Sequence, residues 1–530
     1  MSTLFTAMAF SFLPELLTST LIVCVVLALY FRSKRSNSPL RPIDWPIVGV
    51  LPAIVFNLQN IHEYITYVLL SFGHSYKVST ISLSFFFTCD PANVRHIFTS
   101  NHANYPKGQG FAEAFDVMRG SFFTVDGELW RRQREKIQSI LSNPQILSFT
   151  ANCCRNKIEQ DLVPFLIHMA RTTTLFDMND LMSRVAFDVT AMPIFGTDPC
   201  QLSSHMPSVE VSVAMDTVME VAFFRQIVPE CCWKVMRRLK VGREGKLVTA
   251  HTVLRKFIKE MVERRKSGCV DGLSPCEAHN LHGRLEKQAT NNEQVDILSQ
   301  YLNDPYYNED LLCAKLITYM VAGRDTISTT LSWIFYNLSR NPHVLSVIRN
   351  ELLPIVSSKT SSSCNQGTII IFNPDETKAL VYLNVVLLET LRLYPPTPLE
   401  RKTVASSDVM PSGHKVHEGE IVIISLYAMG RMKDIWGEDC QDFRPERWLL
   451  EDGSKLRYVP SHKFLAFNSG PRMCLGKDIA IMQMKTIMAT ILWNFDVEVL
   501  EGHAVKQKNS ALLQMKNGLM VKVKEREIYV

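Results

Sequence analysis

Apolar residues along this 530-residue chain follow two periods. Across 127–265 and 308–350 they recur at i, i+3, i+4 and i+7, which predicts helices. Short β-rich runs are few: KVSTISLSFFFTCDP (77–91) and HKVHEGEIVIISLYAMG (414–430) predict strands. Two polar, weakly patterned stretches, 266–294 and 357–367, predict exposed loops rather than linkers, because helical pattern resumes on both sides. No internal repeat is present. The pattern as a whole predicts a helix-rich body with a small β region.

Residues 1–31 depart from this pattern, with Glu15 as the one charge. The run LLTSTLIVCVVLALYF (16–31) spans about 24 Å as helix, and the apolar flank before Glu15 extends it toward bilayer thickness. Arg32, Lys34 and Arg35 follow, a basic flank that belongs on the cytosolic side. A cleaved signal would carry its charges first and a small-residue site last, so 1–31 reads as a single-pass anchor. Pro39, Pro42 and Pro46 then make 32–46 a stiff basic and proline hinge, leaving 47–530 as the cytosolic body.

Composition narrows the function more than the fold. With 46% hydrophobic and 21% charged residues the chain is globular, and a net charge of +5, spread along it, argues against nucleic acid. Thirteen cysteines include no CxxC, and the lone CxxH (Cys276, His279) has no second pair. Neither a disulfide framework nor a zinc site is indicated, and a reducing compartment fits the body. Length alone would suggest two or three domains.

Four short motifs carry candidate chemistry. In LITYMVAGRDTISTTLSWIF (316–335) an apolar helix is interrupted by Ala322–Thr326, where the Thr326 hydroxyl can bond back to the Ala322 carbonyl and open the helix locally. An acid and an alcohol beside such a gap suit proton delivery; a helix with one polar face is the plainer alternative. ETLRLYPP puts Glu389 and Arg392 on one helical face, and FRPERW offers Arg447 as a second arginine for a structural clamp. GELWRRQREK sets Trp130 and Arg134 on one face, suited to a ligand carboxylate, although a plain amphipathic helix has the same spacing. FNSGPRMCLG (467–476) presents Cys474 at the end of a turn shaped by Gly470, Pro471 and Gly476, with Arg472 two residues earlier.

In this order, from anchor to F-x-x-G-x-R-x-C-x-G, the chain resembles a membrane-anchored cytochrome P-450, a haem-thiolate monooxygenase, over residues 39–525. The resemblance implies one mainly helical domain with a small β region, in place of two or three domains. It implies haem b, with Cys474 as the axial thiolate ligand of its iron and Phe467 covering the proximal pocket. Gly470 would let the backbone approach the haem, and Gly476 would let the next helix pack closely. Trp130, Arg134 and Arg472 would hold the propionates, Asp325 and Thr326 would relay protons, and Glu389, Arg392 and Arg447 would lock the haem loop. Ile327 stands where many members carry a second hydroxyl residue, with Ser328 one position later. The acid and alcohol pair favours oxygen activation over peroxide rearrangement.

FNSGPRMCLGKDIAIMQMK, PSGHKV, YAMGRMKDIWGEDC and QMKNGLMVKV are similar to the plant clan of fatty-acid and mid-chain alkane hydroxylases, a branch that also holds phenol-coupling alkaloid enzymes. The expected reaction is NADPH-driven hydroxylation of a long-chain alkane or fatty acid in wax or lipid metabolism, with phenol coupling as the alternative. A haem-binding protein without oxygenase activity is a further alternative. Substrate contacts are expected from Phe111, Phe115, Val117, Met118, Phe122 and Phe123, from Met320, and from Thr397 to Leu399; Arg119 is a weaker candidate for a carboxylate. The implied partner is an NADPH-cytochrome reductase in the endoplasmic reticulum membrane, docking on Arg131, Arg132, Lys136, Lys477 and Lys485.

Overall fold

Helices carry most of the chain, as the 3.6-residue pattern predicts. The computed structural model describes residues 50–79, 84–202, 210–267, 296–302, 308–361 and 369–526. The expected anchor (1–31), the hinge (32–46) and nearly all of the polar stretch 266–294 lie outside the described residues. Among the described residues no helix is long and apolar enough to cross a membrane.

The long helix Glu309–Arg340 organises the body. Asn308 caps it by accepting from the Leu311 backbone N–H at 2.8 Å, and Glu309 and Asp310 complement the positive end of its dipole. Its first half, with Leu312, Leu316, Ile317 and Val321, packs into one core with Phe111, Met118, Met219 and Leu254. Its second half, from Ile327 to Leu338, belongs to another core shared with helices Met178–Phe195, Val381–Leu393 and Lys477–Asn494. Ala322–Thr326 therefore sits at a seam between two cores.

The helix runs unbroken through that seam, which corrects the expected interruption. Thr326 Oγ1 does donate to the Ala322 carbonyl at 2.7 Å, but a carbonyl oxygen has two lone pairs and accepts both this bond and the helical N–H. Gly323 serves packing: a Cβ there would stand 2.5 Å from Thr190 Cγ2 on helix Met178–Phe195.

The predicted strand 77–91 is a hairpin, Ser75–Ser79 with Ser84–Thr88, and Asp90 then caps a short helix through the Ala92 N–H. The predicted strand 414–430 divides into Lys415–Val416 and Ile421–Ser425 at a turn in which the Glu420 N–H donates to the His417 carbonyl at 3.1 Å, and it ends where the Ser425 hydroxyl accepts from the Ala428 N–H and starts a helical turn. The main sheet runs Ser75–Ser79, Ser84–Thr88, Ile421–Ser425, Leu399–Thr403, with the middle pair parallel and both outer pairs antiparallel. A second sheet joins Phe176–Asp177, Met520–Glu525 and Phe495–Val499. Helix Pro342–Ser361 reaches into the polar stretch 357–367 expected as a loop, and the remainder, 362–367, lies outside the described residues.

Candidate active site

FNSGPRMCLG forms a bracket. Asn468 and Gly470 both adopt left-handed backbone, φ 62° and 61°, and the Cys474 N–H donates to the Phe467 carbonyl at 2.8 Å, closing the loop. The sulfur faces a cavity of about 890 Å³ that Phe467, Arg472 and Gly476 also line. Burial raises the thiol above its ordinary value, while the Gly476 backbone N–H, Arg134 and Lys477 pull it back; a bound metal cation would deprotonate it outright.

Both expected glycine roles need correction. Gly470 does not line the cavity; a Cβ there would lie 1.9 Å from the Phe98 carbonyl oxygen, so the close approach is to backbone. A Cβ on Gly476 would meet nothing within 4 Å. Its bare edge faces the cavity rather than a packed helix.

Above the bracket, Trp130 and Arg134 share one face of helix Gly127–Leu141. Arg472 stacks 4.5 Å from the Trp130 ring centroid and donates to Asp126 Oδ1 at 2.5 Å; Arg134 donates to the Met473 carbonyl at 2.8 Å. Two lysines join them that the motifs do not mark. Lys107 is buried over the Phe123 and Phe111 rings at 3.9 and 4.3 Å, and burial pushes it down to about 7. Lys402 is buried beside Glu400, Nζ to Oε1 3.5 Å. Burial opposes ionisation of Glu400, yet Lys107, Lys402 and Arg472 hold it below the usual carboxylate range.

Four basic groups, Lys107, Arg134, Lys402 and Arg472, thus gather against two carboxylates, Asp126 and Glu400, and of the four Lys107, Arg134 and Arg472 line the cavity. That excess fits the two carboxylate arms of haem b, and Cys474 and the open edge at Gly476 fit its metal and its flat ring.

Behind the bracket Glu389 is fully buried and saturated. It accepts from Arg392 Nε and Nη2 at 2.7 Å each, Arg447 Nε at 2.9 Å, the Arg444 N–H at 2.8 Å and Trp448 Nε1 at 2.9 Å. Arg392 and Arg447 spend their remaining N–H groups on the carbonyls of Gly430, Cys440, Trp436 and Asp439. The clamp is thereby tied to the segment 430–448 that precedes the bracket.

On the opposite wall the structure separates the expected acid and alcohol. Thr326 lines the cavity beside Ala322 and Gly323, whereas Asp325, about 100° further round the helix, is fully buried behind it. Asp325 Oδ1 accepts from Arg324 Nη1, which also donates to Asp216 at 2.6 Å, and Asp216 meets Lys508 at 3.3 Å near the surface. Asp325 Oδ2 has no partner, and burial raises the acid to about 6.

Of the expected substrate contacts, Phe111, Phe115, Met118, Phe122, Phe123, Thr397 and Leu399 line the cavity. Met320 and Val117 do not. Both are buried in the adjoining core, Met320 because Tyr319 and Val321 occupy the cavity-facing positions of its helix. Arg119 is exposed and away from the cavity. The sequence reading missed Met219 and Phe223, from a helix that carries none of the motifs, and also Arg401 and Leu512, which lie two residues beyond Leu399 and two before QMKNGLMVKV. In the expected docking set, Arg131, Arg132 and Lys477 are exposed and Lys136 is half-buried against Tyr301. Lys485 is buried, its Nζ donating to the Lys378 and Leu380 carbonyls, so it is a structural anchor and not part of that surface.

A sequence model described as cytochrome P450 matches residues 39–523. The chain belongs to the cytochrome P450 family. It is 37% identical to noroxomaritidine synthase 1 of Narcissus pseudonarcissus over 512 residues, 96% of each chain. It is 35% identical to alkane hydroxylase MAH1 of Arabidopsis thaliana over 517 residues, 95% of this chain and 97% of the other. Cytochrome P450 86B1 of the same plant is 33% identical over 526 residues, 97% of this chain and 90% of that one. As a member of this family the chain is a haem b monooxygenase that draws electrons from NADPH through a reductase.

Proposed function

We propose that this cytochrome P450 hydroxylates a long-chain aliphatic substrate, tethered by residues 1–31 to the endoplasmic reticulum membrane. The cavity lining carries the reading. Phe111, Phe115, Phe123 and Met118 face Leu399 and Leu512 across it, with Phe111, Phe115 and Phe123 ring centroids 4.7–5.3 Å apart. Its charged wall groups work against an amine. Arg401 is a cation, Lys107, pushed down to about 7 by burial, carries a partial charge, and the acids Glu113, Glu230 and Glu400 are already paired with Lys234, Lys234 and Lys402. An alkyl chain gains from such a surface through burial alone.

Haem b, when bound, supplies the reductive activation of O2. Trp130, Arg134, Arg472 and Lys107 would hold its carboxylate arms, and Cys474 its metal. Burial raises Asp325 to about 6, so it takes up and releases a proton just below neutral pH. Thr326 Oγ1, whose own proton goes to the Ala322 carbonyl, offers an acceptor oxygen to the cavity. The phenylalanine cluster excludes water from the oxidation site.

Phenol coupling is the second reading, favoured by the 37% identity to a noroxomaritidine synthase. Turnover with reductase and NADPH on alkanes, fatty acids and a phenolic amine decides between them. Alkyl alcohols are the expected products, and conversion of the phenolic amine alone would overturn the aliphatic reading. Removing residues 1–31 should release the protein from the membrane fraction; continued sedimentation with membranes would count against the tether.

A further inference from the structure

Phe111 and Phe115, one turn apart, are carried by the six-residue helix Gln109–Ala114 and the residue that ends it. A helix of that length does not hold itself, since isolated helices below about twelve residues are marginal in water. Its orientation over the cavity therefore comes from its ends. At the N-terminal end Asp126 accepts from the Lys107 and Gly108 N–H groups at 3.0 and 2.8 Å, and the same carboxylate takes Arg472 of the Cys474 bracket.

The C-terminal end is tied to a residue that no motif marks. Arg225 Nη1, from helix Glu210–Ile227, donates to the Glu113 carbonyl at 3.0 Å and the Ala114 carbonyl at 3.4 Å, acceptors that a helix end leaves without helical N–H partners. The same nitrogen meets Asp116 Oδ1 at 2.9 Å. Nε and Nη2 take both oxygens of Glu244, in the first turn of helix Gly242–Ser267, at 2.8 and 2.6 Å. The guanidinium also stacks 4.6 Å from the ring centroid of Trp233, on helix Glu230–Leu239. The side chains of Arg225 and Glu244 are fully buried. One planar cation thus joins four segments, through a fork that a lysine ammonium does not reproduce.

An alkyl chain offers no polar handle, and the burial of apolar surface has no direction. Which carbon stands at the oxidation site then depends on the shape of the wall. We propose that Arg225 is a positioning residue that sets the point of oxidation along the chain, by fixing Phe111 and Phe115 against the cavity. This rests on the aliphatic reading and carries it from substrate class to regiochemistry. Lys234 with Glu113 at 3.1 Å, and Arg237 with Asp116, lie at the exposed rim of this hub and contribute little, as exposed ion pairs do.

The test is turnover of hexadecane by the full-length, haem-loaded protein with reductase and NADPH. It is scored as the distribution of alcohol positions and as alcohol formed per NADPH consumed. Both are ratios, so a smaller folded fraction does not move them. The unaltered protein should place most of its alcohol on about two or three neighbouring carbons, as a fixed wall requires. Arg225→Lys keeps the charge beside Glu244 and loses the fork; it should spread the alcohols over about twice as many positions and lower the alcohol per NADPH about threefold. Asp116→Asn weakens one arm of the hub, should move both ratios the same way by less, and decides the matter if Arg225→Lys takes up no haem. Arg237→Gln, at the rim, should leave both ratios unchanged. A broad distribution from the unaltered protein, an unaltered distribution in whichever hub variant is folded, or an equal spread in Arg237→Gln would overturn the role of Arg225 while the aliphatic reading stands. If the unaltered protein forms no alkyl alcohol and converts the phenolic amine, both fall.

Discussion

The two walls of the cavity are built by opposite rules. On the sulfur side the supporting carboxylate Glu389 accepts five hydrogen bonds, and the two arginines on it are spent on carbonyls of the segment leading to Cys474. On the opposite side Arg324 Nε, Asp325 Oδ2, Thr190 Oγ1, Gln226 Nε2 and Arg401 Nε are buried without partners. A saturated network has one arrangement and holds a shape; an unsaturated one keeps groups free for a ligand, water or a proton. Rigidity was built where a cofactor must sit, and unmet polarity where molecules must come and go.

The sharpest way to break the comparison is Glu389→Gln. The amide leaves Arg392 and Arg447 buried with one acceptor oxygen between them, and losing one member of a buried ion pair costs about 3–5 kcal/mol. The variant should lose most of its haem-loaded folded fraction, measured by the reduced carbon-monoxide spectrum against total protein. A normal loaded fraction would mean that the clamp is not what holds the bracket.

Gly470→Ala comes next. The added methyl must coexist with the Phe98 carbonyl at 1.9 Å and with a left-handed backbone. Overpacking of this kind costs about 1–3 kcal/mol, and the backbone contribution adds to it. A lowered unfolding midpoint is expected for Gly470→Ala, with little change for Gly476→Ala, whose Cβ meets no protein atom. Equal midpoints would remove the distinction drawn between the two glycines.

These residues also show what is legible in a sequence. Cys474, Glu389 and Trp130 were readable through the family resemblance carried by ordered motifs and not through spacing alone, since Glu389 meets Arg444, Arg447 and Trp448 from 55, 58 and 59 residues away. Asp325 and Thr326 were readable as a motif but not as a geometry, since adjacent helical residues point about 100° apart. Met320 failed for the same reason, by one position. Lys107, Arg401, Phe223 and Leu512 were not legible, because they meet only after segments from opposite ends of the chain pack around one space. The split of the predicted strand at 417–420 is a matter of turn chemistry that a run of β-formers conceals.

A pH experiment sharpens the unsaturated side. Burial raises Asp325 from 3.8 to about 6. Between those values the native state keeps a proton that the unfolded chain has lost, so this group's contribution to stability falls as pH rises from about 4 to about 6. Asparagine carries no such dependence. Relative to the unaltered protein, Asp325→Asn should therefore gain in unfolding midpoint between pH 4.5 and pH 7, by an amount of order 1 kcal/mol in free energy. A constant difference across that range would mean that Arg324 holds the acid ionised throughout.

The smallest effect concerns the outer face of the saturated side, where two lysines eight residues apart on one helix have different fates. Lys477 is exposed at the helix start, 5.5 Å over the Phe467 ring, and Lys485 is buried on two carbonyls. If an acidic reductase docks here, Lys477→Ala should slow haem reduction by about two- to threefold at low salt, with the difference vanishing at high salt, as for any exposed charge contact. Lys485→Ala should lower the unfolding midpoint and leave the salt dependence of reduction untouched, because its charge never meets solvent. Identical salt profiles for the unaltered protein and Lys477→Ala would move the docking face elsewhere, since steering by exposed charge cannot survive removal of the charge that steers.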